Sequence, residues 1–323
     1  MILFAVDCEK GEGPDLAKQY GIPGYPTYVM LTPDGERSAA WLGYDGPESF
    51  HEKVTAGIAD PRPVTAKAEA YAAAPTVALA RVLADDAAAA GRLDDSVTYL
   101  RKARELDPAG YPAYTSEIMG NMFFGARKGQ FTLDEVDAEA SQAQAMAQMG
   151  GLHDKVMLLA MRMAGLAAGQ GEPARAKPYL ERAMTSLQAV PADELPGFAP
   201  DLRVAHALIV EGNKPKALEL KLAAQPEGWQ DDASRLNSVA WWCFENQVNQ
   251  EQALDWALRG AELAASDEDR AEILDTAAEL CQALGNCDEA IATIKRAIEL
   301  NPGRDYYKRQ LAKFEASKAA QAG

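Results

Sequence analysis

Four cysteines and three histidines are the residues here whose chemistry suits redox, nucleophilic or metal work. A redox dithiol, or half of a zinc site, needs two thiols separated by two residues. The cysteines stand at 8, 243, 281 and 287, and no pair has that gap. Cys281 and Cys287 lie six residues apart across an expected helix turn, within reach of a bridge. Packing as two small apolar residues between helices is the reading taken. Four scattered cysteines make no disulfide framework. His51, His153 and His206 have no cysteine or acidic cluster at ligand spacing. The expectation is therefore no catalytic residue, no metal and no cofactor.

The elements that would have to position any such chemistry are those of a globular chain. Of 323 residues, 48% are apolar and 25% charged, ordinary for a globular protein and enough for two domains or one extended repeat array. Alanine runs such as AYAAAP and DDAAAAG favour helix. A net charge of −16 and a pI near 4.7 argue against nucleic acid and anionic membrane surfaces, both of which call for a basic face. No run of apolar residues is long enough to span a bilayer. The opening MILFAVDCEK lacks a basic leader, and Asp7 and Glu9 interrupt its apolar stretch. As written, the chain is expected in the cytoplasm. A longer form with a signal peptide would lie outside it.

Residues 1–60 read as β-α-β-β-α. ILFAV (2–6) is a continuous apolar run ended by Asp7, as in a buried strand. GPDLAKQYGI follows, with Pro14 and Asp15 suited to a helix start and Gly21 to its end. TYVMLTPDGE and SAAWLGY form the arms of a hairpin, and Pro47-Glu48-Ser49 opens a last helix. With VDC at a strand end, Leu16 and Tyr20 on the helix, GIPGYPT (21–27), PDGE in the hairpin and Gly43 in the final strand, the stretch resembles the C-terminal half of a thioredoxin-like domain. The resemblance implies that Pro26 follows a cis bond and that Tyr25, Pro26 and Thr27 form a turn facing a substrate peptide. It also implies that the first strands, the CxxC and the helix after it are absent from this sequence. Cys8, alone at a strand end, replaces none of them. The third and fourth family strands must then pair directly, leave an open edge, or borrow a strand from another chain.

PRPV (61–64) opens a linker expected over 61–76, and helix-period sequence runs from 77 almost to the end. Internal similarity is the main signal there. GRLDDSVTYLRKARELDP carries Gly91, Ser96, Leu100, Ala103 and Pro108. GNCDEAIATIKRAIELNP carries Gly285, Ala290, Ile294, Ala297 and Pro302 on identical offsets. Gly171, Ala176, Leu180 and Ala183 repeat the first part, Gly212, Ala217 and Ala224 a weaker form, and Ala253, Ala257 and Gly260 another. Small residues let paired helices approach, a large one between them fills the groove, glycine ends the first helix and proline follows the second. The pattern resembles tetratricopeptide (TPR) repeats over 77–110, 157–190, 198–227, 234–267 and 271–304, with a divergent pair expected at 111–150. The stretch 305–321 reads as a polar capping helix. Two clusters draw sharper notice: Met119, Met122, Phe123, Phe124, Met157, Met161 and Met163, read as core, and the adjacent Trp241 and Trp242, of which one is expected buried.

The fold expected is thus mostly α, a TPR-like superhelix of helical hairpins over 77–323 behind a partial thioredoxin-like α/β module over 1–60. The function expected is a protein-interaction scaffold. It takes protein or peptide clients on a concave face, and its redox-inactive N-terminal module can self-associate through an incomplete sheet. The alternative is a thiol–disulfide oxidoreductase whose CxxC half is missing and whose repeats recruit clients.

Overall fold

A computed structural model describes residues 4–322. By contacts the chain divides into two compact units. One contains the chain up to Leu152 together with Gly165–Gly171; the other contains His153–Ala164 and everything from Glu172.

In the first unit, α1 (Gly13–Gln19) precedes an antiparallel pair of strands, β1 (Thr27–Leu31) and β2 (Arg37–Leu42). Tyr28 stands opposite Trp41, and a bulge falls between Met30 and Leu31. Helix α2 (Pro47–Ala59) brings Phe50 onto this ribbon, where its ring lies 5.0 Å from Tyr28 and 5.8 Å from Trp41. Such aromatic pairs add directional packing to their buried area.

Among the described residues the expected first strand does not form. Ile2 and Leu3 lie outside the described residues, and Phe4–Val6 is irregular, with Phe4 79% exposed. An apolar run becomes a strand only where a neighbour takes up its backbone groups, and among the described residues β1 pairs with β2 alone. Among the described residues the N-terminal region is a two-stranded ribbon with two helices, and the β-α-β-β-α half-domain that the thioredoxin-like resemblance implies is not shown.

The 61–76 stretch differs from a linker as well. It holds α3 (Val64–Ala73), whose Lys67 is 1% exposed and donates from Nζ to the Ser38 carbonyl at 2.6 Å. Helix α4 (Val77–Ala89) packs on β2. Across that contact Arg37 Nε meets Asp86 at 2.7 Å, with Arg92 at 3.6 Å from the same carboxylate. Asp86 is 1% exposed, so the two guanidinium groups supply the charge that burial would otherwise leave uncompensated. The ribbon and the first hairpin thus share one set of polar and apolar contacts.

Hairpins follow: α4 with α5 (Leu93–Leu106), then α6 (Tyr111–Ala126) with α7 (Leu133–Met149). Thr132 begins α7 with a capping box closed by Glu135. Met119, Met122 and Phe123 of α6 are buried core, and Phe124 is half exposed.

After α8 (His153–Gly169), the second unit contains α9 (Lys177–Ala189) and the pair α10 (Ala199–Ala205) and α11 (Lys214–Ala223), joined through a π turn at His206–Val210. Helix α12 (Ala233–Asn246) pairs with α13 (Gln250–Leu263), and α14 (Asp267–Ala283) with α15 (Cys287–Leu300). Helix α16 (Asp305–Ala322) packs on α15. Its Tyr307 and Phe314 belong to the same buried cluster as Leu236, Leu274 and Ile294. Neither Trp241 nor Trp242 is fully buried: Trp242 lies partly covered against two core clusters, and Trp241 rests 5.0 Å from the Phe244 ring.

Candidate partner-binding surfaces

The small residues singled out by spacing occupy the places where helices meet. Ala103, Ala176, Ala183, Ala217, Ala253, Ala290 and Ala297 are each 0% exposed. The large residues between them, Leu100, Leu180 and Ile294, are exposed by 2% or less. Gly91 and Gly285 have φ of +75° and +83°. A left-handed residue at each point lets the first helix end and the second double back. At the second turn the Asn286 amide donates to the Cys281 carbonyl at 2.9 Å, closing the helix end. These residues set the hairpin geometry and thereby fix which side chains of each first helix face outward.

In the first unit the outward Arg81 and Glu117 form a mixed-charge patch on α4 and α6, over a Tyr114 that is 3% exposed. Arg81 lies over the Tyr114 ring at 5.5 Å and 3.5 Å from Glu117. Lys53 of α2 pairs with Asp85 of α4 at 2.8 Å, and the Tyr114 hydroxyl donates to Asp107 at 2.9 Å. Burial pushes the Glu117 carboxyl up from its ordinary value, against the pull of Arg81. The side chains of Arg81 and Glu117 remain about 40% exposed, so this patch is open to solvent.

The Tyr25–Pro26 bond is cis, and Tyr25 is 61% exposed. Thr27, the first residue of β1, donates its hydroxyl to the Gly24 carbonyl at 2.7 Å. Desolvation and then Cys8, Glu9 and Asp7 push the Tyr25 phenol up, which places it beside the Cys8 thiol and its acidic neighbours. The turn and the small-residue positions are separate features: the first presents a side chain, the second packs helices.

Cys281 and Cys287 line a cavity of about 700 Å³ in the second unit with Leu254, Leu258 and Thr293, and the Asp288–Lys318 ion pair sits at its rim. Both cysteines are buried. Burial, helped by Glu289, pushes the Cys281 thiol up to about 11, so it stays protonated near neutrality. Among the described residues, no group of three or more His, Cys, Asp or Glu side chains could hold a metal ion, and no helix is long and apolar enough to cross a membrane.

Spacing did not point to the buried polar residues. Lys67, Asp86, Asp275, Glu279 and Gln310 are all less than 10% exposed. Charged residues inside alanine-rich helices look like solvated positions until the partner element is known. One signal was nevertheless present: acids at 272, 275 and 279 repeat at three and four residues, which places them on one helix face.

A tetratricopeptide repeat model matches residues 271–304, which span α14 and α15. No curated protein matches the chain. Among solved structures it is similar to the APC/C hetero-tetramer Cut9-Hcn1, with 14% identity, 77% of this chain and 45% of that one covered, and a TM-score of 0.41. The chain thus spans less than half the length of that protein. It is also similar to the apo form of the quorum sensor NprR from B. thuringiensis, at 13% identity, 74% and 68% coverage and a TM-score of 0.46. The TPR2AB domain of yeast Sti1, in complex with pHSP90, gives 16% identity, 76% and 85% coverage and 0.30. The chain is mostly helical, and the hairpin of α14 and α15 carries a tetratricopeptide repeat.

Proposed function

We propose that this chain is a protein-interaction scaffold whose first-helix faces bind a protein or peptide partner. The observation that carries the reading is the solvent-open charged patch of Arg81 and Glu117, with Asp85, on α4 and α6, seated over the buried Tyr114 ring and held in place by hairpins whose small residues are spent on packing. Repeat arrays of this kind use such faces for partners, and a patch offering both charge signs suits a mixed-charge peptide. TPR proteins as a class bind protein or peptide partners. In this reading the turn at Tyr25, Pro26 and Thr27 and its ribbon are a redox-inactive accessory to the repeats. Among the described residues β1 pairs with a strand on one edge only, and its other edge gives that accessory a route to self-association.

A photo-crosslinking residue placed at Ala78, exposed on α4 one turn from Arg81, should capture a partner in cells of the source organism. The same group at Glu105, exposed on the second helix α5, should not. Equal capture from both sites, or none from a folded chain, would sink the reading.

A further inference from the structure

Helix α16 lies on a face of α14 that carries more buried negative charge than it meets in positive charge. Asp275 and Glu279, one helical turn apart on α14, are 8% and 6% exposed. From α16 the Lys313 ammonium reaches Glu279 at 2.6 and 2.9 Å. The Gln310 amide, itself 7% exposed, lies 3.4 Å from Asp275 and also meets Glu279 and the Tyr306 hydroxyl. Two buried carboxylates therefore share one cation, and that cation is engaged by Glu279. A buried charge without a counterion is costly, and the cheapest remedy available to a carboxylate is a proton.

We propose that α16 is held on α14 by a proton-operated latch, seating firmly while the Asp275 carboxyl carries a proton and loosening when it ionises. The groups acting most on Asp275 come from the two facing elements. Helix α14 contributes Glu279, while α16 contributes Gln310, Tyr306 and Lys313. The nearby Tyr307 is acted on by Arg304, Glu272 and Glu268, which sit farther along the same contact. Burial and then the Glu279 charge push Asp275 up to about 6. Burial and then Asp275 push the Tyr306 hydroxyl up to about 12, so it remains a donor to the carboxylate throughout.

The direction of the effect follows from linkage. A carboxyl raised in the folded state stabilises its seat fully below its ordinary value near 4, and loses that contribution as pH rises through about 6. With an ordinary value in the opened state, the opening constant of α16 grows roughly ten-fold between pH 5 and pH 7.5. The latch closes in mild acid and slackens above neutrality. It is independent of whether any partner binds α4 and α6.

Hydrogen exchange of the full chain, corrected for intrinsic rates, tests this directly. Amides of α16 should be about ten-fold better protected at pH 5 than at pH 7.5, while those of α12 change little. Asp275→Asn, which is permanently neutral and nearly isosteric, should remove the dependence and leave α16 protected at both pH values. Glu279→Gln removes the like charge and frees Lys313 for Asp275, so the midpoint should move to lower pH. A flat profile in the native chain overturns the proposal. So does an unchanged slope in Asp275→Asn, or an unmoved midpoint in Glu279→Gln, which still decides the matter should the first variant not fold.

Discussion

Cys8 is the residue on which any redox chemistry in the first unit would have to rest, because the other cysteines, at 243, 281 and 287, belong to the second. Thiol–disulfide turnover needs an attacking thiol and a resolving one. The Tyr25 phenol beside Cys8 supplies neither a second sulfur nor a positive charge, and Asp7 and Glu9 surround it with negative charge instead. In the second unit Cys243 is pushed up to about 11 by burial, like Cys281, which withholds the reactive thiolate. The chain should therefore not accelerate reduction of insulin by dithiothreitol, and its rate should equal that of Cys8→Ser. Turnover by the native chain that Cys8→Ser lacks would restore an oxidoreductase reading.

At the scale of elements, packing follows the alanine code, and it has a measurable cost when broken. Ala290, 0% exposed on α15, sits in the same buried cluster as Leu274, Ala277 and Ala278 of α14. Extra side-chain volume there costs roughly 1–3 kcal/mol. Ala290→Leu should lower the melting temperature by several degrees, whereas Glu289→Leu, on the exposed neighbouring position, should leave it nearly unchanged. Equal losses would mean that the helix face has been assigned wrongly. The same contrast explains what was readable beforehand. Hairpins announce themselves in sequence because a small residue at a helix crossing has no substitute, so Gly91 to Ala103 and Gly285 to Ala297 share offsets. Phe4–Val6 is apolar yet irregular, because apolarity signals burial only where a partner exists. Helix α3 was missed because Pro61 and Pro63 look like a break, although Pro63 is the residue just before the helix begins. The latch was hidden for a related reason. Asp275 and Glu279 become a buried pair only once α16 arrives from thirty or more residues away.

For the whole molecule, charge opposes association while the N-terminal ribbon invites it. Strand β1 is short, has no charged side chain between Thr27 and Leu31, and among the described residues pairs on one side only. Leu31 is 45% exposed beside that bare edge, and Tyr25 and Tyr44 are 61% and 55% exposed. Uncharged open edges are where chains add to one another. Against this stands a net charge of −16 on each copy. Repulsion between copies reaches over about 10 Å at 0.1 M salt and only about 3 Å at 1 M. Pairing of backbone groups and apolar side chains is not weakened in the same way. Self-association through β1 should consequently grow with salt, opposite to what ion-pair contacts would do. Sedimentation velocity over a concentration series should show the weight-average coefficient rising faster at 1 M than at 0.1 M sodium chloride. Leu31→Glu, which places a like charge on the edge at an exposed site, should flatten both series. A coefficient that stays constant in 1 M salt, or a salt response unchanged in Leu31→Glu, would remove β1 as the contact.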